Sequence, residues 1–343
     1  MNGFGSMLKD YLEYYKISQT EFADRLGITQ KHMNEIINGK TNLSVDLIIA
    51  ISLLTDIDPK VIYFVENKKK TYEMLINKYK TEKEINKLLN SYYINEIEKR
   101  GWIKLKDKSS FTQKYLDLID YLNVKNLDVL DKYLEKRYLF KKKEDSDNKK
   151  VYLWIRHCDQ MIKNIGVPDY DSSKLDDLFN ELKEESNKKY NSKSIIDILS
   201  KYGIILYIED ALKGSKVRGC IKVMIDRPVI YMTTYYKEKS SFYFTLYHEL
   251  FHLKRDYNML KSKVVIEEDS DEDEIDSLAL NMMIDNKVYN EIINDYNNRE
   301  EIAKKNKIPL CFLYSRLAKE GRIKYTSKDY INNIEKIDAL KSK

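Results

Sequence analysis

The chain has 343 residues, of which 43% are hydrophobic and 34% charged, and its net charge is +5. This composition excludes a disordered chain and allows two or three domains with cores of their own. No stretch reaches the roughly 18 uncharged apolar residues of a membrane helix, so we expect no membrane partner. The three cysteines, Cys158, Cys220 and Cys311, are odd in number and far apart, which favours free buried thiols in a cytoplasmic protein.

The charge is distributed unevenly along the chain. Residues 1–66 carry 6 basic and 9 acidic side chains, whereas residues 67–150 carry 22 basic and 14 acidic ones. The basic region could flank DNA, contact an acidic partner or form a solvated surface, and lysine-rich runs are most often solvated. The first segment is not basic, which bears on its interpretation as a DNA-binding domain.

Residues 7–66 show the pattern of five short helices. Gly27 is positioned to end the second helix, and Gly39 to end the third. Side chains able to cap the second to fourth helices precede each apolar repeat, and Asp58-Pro59 starts the fifth helix. The capping residues are Ser18, Thr29 and Ser44.

The second and third of these helices have the arrangement of a helix-turn-helix. A turn at Gly27 would let the third helix enter a major groove, where Gln and Asn can contact adenine and Lys can contact guanine or phosphate. The alternative is a helical bundle used only for protein contacts, which the acidic balance of the segment favours. The candidate DNA contacts are Gln19, Gln30, Lys31, His32, Asn34, Lys40 and Thr41.

The remaining chain changes character near residue 191. The periodicity of residues 67–190 predicts a helical connecting region with an exposed loop at 141–149. Residues 191–343 predict a helix, three strands, two further helices and a helical tail. The predicted fold is therefore α+β and mostly helical, with a small sheet near the C-terminal helices.

The segment "HELFH", His248 to His252, is the most specific signal in the chain. Spacing of i, i+4 places both imidazoles on one helix face, where they can share a metal ion, and Glu249 can act as a general base. No further histidine follows at the spacing of metzincins, so the third ligand should be a carboxylate. The alternative is a pair of buried histidines in a core helix.

Two parts of the chain resemble known families. "ISQTEFADRLGITQKHMNEIINGKTNLS" resembles the XRE/lambda-repressor helix-turn-helix family, and "DRPVIYMTTYYKEKSSFYFTLYHELFHL" with "EDEIDSLA" resembles the ImmA/IrrE zinc metallopeptidases. Their order is similar to HigA-type antitoxins fused to an ImmA/IrrE domain. The resemblance implies a lambda-repressor-like bundle at 7–66, a helical connection at 67–190 and a minimal zincin-like domain at 191–343.

The resemblance also implies a set of site residues. Alignment of Ala279 with the last alanine of the family's motif makes Glu274 the third Zn²⁺ ligand, and an apolar helical pattern through Leu278, Ala279 and Met282 begins there. Glu272 is the nearest competitor, and residues 267–273 are expected to form a solvated acidic loop. The implied ligands are His248, His252 and Glu274, with Glu249 as catalytic base, Asp276 as an outer partner, and Tyr231 and Arg316 as candidates to stabilise an oxyanion.

These features allow more than one function. The first is a DNA-binding transcriptional regulator with a zinc endopeptidase domain that cleaves a partner regulatory protein, whose peptide would add beside the strand at 228–233. The alternative is an antitoxin that represses its own operon and neutralises a toxin by binding, with a non-catalytic zincin site. A third is a regulator that responds to metal supply. The expected partners are operator DNA, a toxin or repressor, and a second copy of the chain.

Overall fold

The computed structural model describes residues 3–137, 147–261 and 272–337. The chain forms two compact units, one reaching Asn126 and the other beginning at Leu127. The predicted connecting region 67–190 is not a unit of its own, because its first boundary falls inside one continuous helix, Pro59–Tyr79. Its last boundary falls between two helices that share the core of the second unit, through Leu182 and Ile195.

The first unit consists of eight helices in the described residues. Their bounds are α1 Phe4–Tyr15, α2 Gln19–Leu26, α3 Gln30–Ile37, α4 Val45–Thr55, α5 Pro59–Tyr79, α6 Glu82–Asn90, α7 Ile94–Lys99 and α8 Phe111–Leu122. The predicted caps are confirmed, since the side chains of Ser18, Thr29 and Ser44 each accept a hydrogen bond from a first-turn N–H. Asp58 also caps α5, whose first residue is Pro59 as predicted. These bonds satisfy donors that the helices themselves leave unpaired.

The helix-turn-helix forms because α2 and α3 meet at a tight turn above a shared core. Gly27 ends α2 in the left-handed region, at φ +68°, where a side chain would be strained. Phe22, Met33 and Ile51 are fully buried at the centre of this bundle. The amine of Lys69 on α5 donates to the Gly39 carbonyl at 2.8 Å, so α5 also fixes the end of α3.

The second unit contains ten α-helices and a small sheet in its described residues. Asn148 and Lys149 begin α10, and the rest of the loop predicted at 141–149 lies outside the described residues, apart from Asp147. The bounds are α9 Leu127–Arg137, α10 Asn148–Met161, α11 Leu175–Ser186, α12 Ser192–Lys201, β1 Ile205–Ile208, β2 Gly219–Met224, β3 Arg227–Met232, α13 Lys239–Leu260, α14 Glu272–Met283, α15 Asn286–Asn294, α16 Arg299–Lys305, α17 Leu310–Lys319 and α18 Lys328–Asn333.

The sheet has the strand order β1-β3-β2, with β1 parallel and β2 antiparallel to β3. The prediction that a peptide adds beside residues 228–233 is therefore wrong, because β3 is hydrogen-bonded on both sides. β2 is an edge strand and packs against α13. A peptide that joins the sheet near α13 would have to use the outer edge of β2.

Side chains alternate between the two faces of the sheet. Ile221 and Ile230 belong to one face and share the main core with α13 residues such as Leu246. Tyr231 belongs to the other face, where it meets Trp154 of α10 edge to face at 6.0 Å between ring centroids. The sheet is thus covered on both sides, and apolar side chains of α13 pack against one of them.

The α+β, mostly helical fold class is confirmed, with a helix-turn-helix bundle first and a small sheet later. Within the described ranges, no helix has both the length and the apolar character needed to cross a membrane.

Candidate metal centre and helix-turn-helix

The segment His248–His252 of α13 contains three residues that are polar yet buried. His248 is 7% exposed, Glu249 5% and His252 2%. Their helix is held by the apolar core, so the two imidazoles project together from one face, one turn apart. The two Nε2 atoms lie 3.1 Å from each other.

The first residue of α14 brings a carboxylate to this pair. Glu272 Oε2 lies 3.1 Å from His248 Nε2, and Oε1 lies 3.4 Å from His252 Nε2. The side chain of Glu272 is 12% exposed. One ligand atom from each of the three residues lies within 4.8 Å of the others, so the group could hold a metal ion.

The expected third group, Glu274, does not lie at this centre. It is exposed, because α14 begins at Glu272 and two residues further along a helix correspond to a turn of about 200°. The face towards α13 carries Ile275 and Ala279 instead, and Leu278 is 38% exposed. The residues at 272 and 273 are helical, so the predicted loop does not include them, and its residues 267–271 lie outside the described residues.

Asp276, which lies on α14, orients the imidazole of His248. Its Oδ1 atom lies 2.9 Å from His248 Nδ1, and its Oδ2 atom accepts a hydrogen bond of 2.8 Å from Lys319 on α17. A carboxylate on the outer nitrogen of an imidazole fixes the ring and makes the inner nitrogen a stronger ligand. Asp276 therefore contacts the ring nitrogen of His248 that faces away from His252 and Glu272, as the resemblance implies for a partner of this histidine.

Asp256 has the same relation to the second imidazole and was not foreseen from the sequence. Its Oδ2 atom lies 3.2 Å from His252 Nδ1, and Arg255 pairs with the same carboxylate. Asp256 has a non-helical backbone, with φ −114° and ψ 17°, which interrupts α13 one turn after His252. The signal that could have found it is the i, i+4 spacing from His252.

The surrounding carboxylates control protonation of the pair. Burial lowers the pKa of His248, but hydrogen bonds to Asp276 and Glu272 outweigh burial and raise the pKa to about 10. Burial likewise opposes the charged form of Glu272, yet its hydrogen bonds to both histidines hold its pKa far below the usual range. The centre is thus strongly favourable for positive charge at the two Nε2 atoms.

Glu249 lies where α13 meets the beginning of β2. Its Oε1 atom is 2.9 Å from the point that a Cβ atom on Gly219 would occupy, and the Thr245 Cγ2 atom is also 2.9 Å from that point. The absence of a side chain at Gly219 therefore makes room for this carboxylate. Glu249 is buried beside the histidines without being one of the three converging groups.

The two candidates for stabilising an oxyanion are used elsewhere. Tyr231 is fully buried and donates its hydroxyl to Asp159 at 2.7 Å, on the far face of the sheet. Burial and the Asp159 charge raise the pKa of Tyr231 far above its ordinary value. Arg316 donates to the Ile284 carbonyl at 2.7 Å, so it holds the end of α14. Neither side chain reaches the histidine pair.

The donor set fits zinc. Two imidazoles and one carboxylate form a three-ligand set that zinc hydrolases use, with one position left for water. Both imidazoles have their outer nitrogens on carboxylates, as metal-ligating histidines do.

The helix-turn-helix presents its polar residues at the start of α3. Gln30, Lys31 and Asn34 are exposed, as is Lys40 after the helix. Gln19, His32 and Thr41 are partly exposed. The backbone N–H of His32 donates a hydrogen bond of 3.2 Å to the Thr29 side chain, which caps the helix. Asn38 donates to the Asn34 side chain at 2.7 Å, which orients it on the helix surface.

Residues 8–62 match the helix-turn-helix family model. This segment is thus similar to known helix-turn-helix domains, and the match supports a DNA-binding regulator of transcription. Neither the comparison with curated proteins nor that with solved structures gives a match.

Proposed function

We propose that the chain is a DNA-binding transcriptional regulator whose second unit is a zinc-dependent endopeptidase acting on a partner regulatory protein. The observation that supports the enzymatic part is the convergence of three donors, His248, His252 and Glu272, with a carboxylate behind each imidazole. A site that is only structural would need four protein ligands. The described residues bring three together.

Glu249 is the proposed general base. When bound, zinc would polarise the peptide carbonyl and lower the pKa of a water molecule. Glu249 then accepts the proton of the attacking water and passes it to the leaving amine. The peptide would lie along the outer edge of β2, because Gly219 at the start of that strand is next to the Glu249 carboxylate.

Recognition of operator DNA is assigned to α3. Gln30 and Asn34 would contact base edges, while Lys31 and Lys40 would contact bases or phosphates. Gln19, His32 and Thr41 complete the proposed contact surface. The segment carries 9 acidic and only 6 basic side chains, so a single module would have weak phosphate attraction.

A homodimer would compensate for this weakness, and α4 supports one. Val45, Ile49 and Leu53 are 71%, 50% and 77% exposed and recur every four residues, so they form one uncharged stripe. Ile48 and Ile51 on the other side of α4 are buried. A palindromic operator requires a twofold dimer. In such a dimer the stripe would face its own copy without charge repulsion.

The test of the enzymatic part is Glu249→Gln, which keeps the size of the side chain and removes the base. Zinc-loaded wild-type protein should cleave members of a quenched-fluorescent peptide mixture. The variant should bind zinc equally and cleave at least about a hundredfold more slowly. If wild type cleaves nothing, or the variant cleaves equally well, the peptidase proposal fails. A toxin or repressor that is neutralised equally by both proteins would favour the antitoxin alternative.

A further inference from the structure

A cavity of about 570 Å³ lies beside the candidate metal centre. Phe244 and Thr245 of α13 line it, and the Phe244 ring centroid is 6.1 Å from that of His248. Thr245 also packs at the same point of β2 as the Glu249 carboxylate. The cavity therefore begins within one helical turn of the proposed reaction site.

Half of the residues that line the cavity are aromatic or apolar. Phe244, Tyr236 and Tyr325 form aromatic parts of the wall, and Leu280 and Met283 come from α14. Such a lining suits the stem of a side chain, while a few polar groups determine its chemical class. The charged residues of the wall therefore determine which class of side chain the cavity accepts.

Three of the four charged groups in the wall already have partners. Lys319 donates to Asp276 at 2.8 Å. Arg316 is engaged by the end of α14, as described above. Glu238 accepts a hydrogen bond of 2.7 Å from Tyr330. Glu238 also precedes the first residue of α13, where the helix dipole stabilises a negative charge.

Arg218 is the fourth group, and the side chain that it contacts is uncharged. Its guanidinium donates to the Tyr236 hydroxyl at 3.2 Å and lies 5.0 Å from that ring centroid. Within the part of the chain that the structure describes, no carboxylate forms a salt bridge with it. Arg218 directly precedes β2, so it lies at the end of the proposed peptide-binding edge.

We propose that this cavity is a specificity pocket for an acidic side chain, whose carboxylate pairs with Arg218. The inference rests on the proposed peptidase function and names the class of its substrates: peptides with Asp or Glu close to the scissile bond. A guanidinium can bind a carboxylate through two parallel hydrogen bonds. The aromatic wall would contact the methylene groups of the same side chain.

Two measurements test this inference. The first is cleavage of short quenched-fluorescent peptide libraries by zinc-loaded full-length protein, with Glu, Gln or Lys fixed at each position in turn. The second is binding of the same peptides, fluorescein-labelled, to the Glu249→Gln protein by anisotropy. Wild type should prefer Glu over Gln at one position by about 10- to 100-fold, as expected for a charged hydrogen bond.

The variants are chosen to isolate the charge of Arg218. Arg218→Met should abolish the preference for Glu, Arg218→Lys should retain part of it, and Arg218→Glu should favour Lys. Arg227→Ala is the matched control, because Arg227 is exposed at the opposite end of the same hairpin. This control should keep the full preference of wild type.

The outcomes separate the pocket from the enzyme. Cleavage without a preference for acid, or a preference that survives Arg218→Glu, overturns the pocket and leaves the peptidase proposal intact. Binding of acidic peptides that depends on Arg218, without cleavage by wild type, supports the pocket and overturns the peptidase. Absence of both binding and cleavage overturns both.

Discussion

Glu272 and Glu274 are separated by a single residue, and only the first contacts the histidines. Glu272 lies 3.1 Å from His248 Nε2, whereas Glu274 is exposed. We expect Glu272→Gln to weaken zinc binding by more than about a hundredfold, since loss of an outer partner alone costs about 10- to 100-fold. Glu274→Gln should leave it unchanged. Competition titration against a chromophoric chelator measures both, and zinc loss confined to the Glu274 variant would restore the assignment made from the sequence.

Gly219 provides a second test at the scale of single residues. A methyl group there would lie 2.9 Å from Glu249 Oε1, closer than real Cβ contacts, so the carboxylate would have to move. We expect Gly219→Ala to slow peptide cleavage by about a hundredfold with unchanged zinc stoichiometry, because small displacements of a catalytic group have that effect. Gly166→Ala is the control, since no atom lies within 4 Å of its added carbon. Equal rates for the two variants would contradict this role of Gly219.

The histidine pair could be predicted from the sequence, whereas its acidic partners could only partly be. The i, i+4 relation of His248 and His252 is a local property of any helix, so their spacing was sufficient. Choosing Glu272 over Glu274 requires knowing where α14 begins and how it is rotated against α13. Those depend on the packing of Ile275 and Ala279 in the core, which a run of seven interchangeable acidic residues does not reveal.

At the scale of elements, α4 is unusual because it is apolar on two opposite sides. We expect Leu53→Asp to dissociate the proposed dimer and to weaken operator binding, because it would place like charges opposite each other. The free energy of unfolding should change by less than about 0.5 kcal/mol, since Leu53 is 77% exposed. Sedimentation velocity measures the association. Tyr14→Asp is the control, as Tyr14 is 80% exposed on α1. A Leu53→Asp protein that sediments like wild type would rule out this interface.

Helix starts were predictable and helix lengths less so. Each cap residue is recognisable by itself, because one side-chain oxygen serves the N–H groups of the following turn. The end of α5 at Tyr79 has no such signal: Lys80 has φ 63° although it is neither glycine nor asparagine. This is why the predicted boundary at residue 66 cuts a helix of 21 residues. The prediction for the sheet found all three strands but not their order, which depends on contacts between distant segments.

At the scale of the whole molecule, the proposed DNA contacts and the proposed metal ligands belong to different compact units. We expect a fragment ending at Asn126 to unfold cooperatively and to bind the same DNA as the full chain, because its core includes Phe4, Phe22, Met33 and Ile51 without any residue of the second unit. Circular dichroism and fluorescence anisotropy measure the two properties. A fragment that is unfolded at room temperature would show that the first unit depends on the second.

The same fragment distinguishes the metal-responsive alternative. Its DNA affinity should not change with zinc or a chelator, because His248, His252 and Glu272 are absent from it. If zinc changes the affinity of the full chain and not that of the fragment, the regulator senses metal. If zinc changes neither, metal supply does not control DNA binding.

The placement of Glu272 on a helix other than α13 has a consequence for turnover of the protein. A cation bound to His252 and Glu272 would be a reversible cross-link between chain positions about 20 residues apart. Because only the folded chain offers all three donors, zinc at a hundredfold excess over its Kd would add about 2.7 kcal/mol to the free energy of unfolding. A chain deprived of zinc would then unfold more often and reach cellular proteases sooner, so its abundance would follow the free zinc concentration.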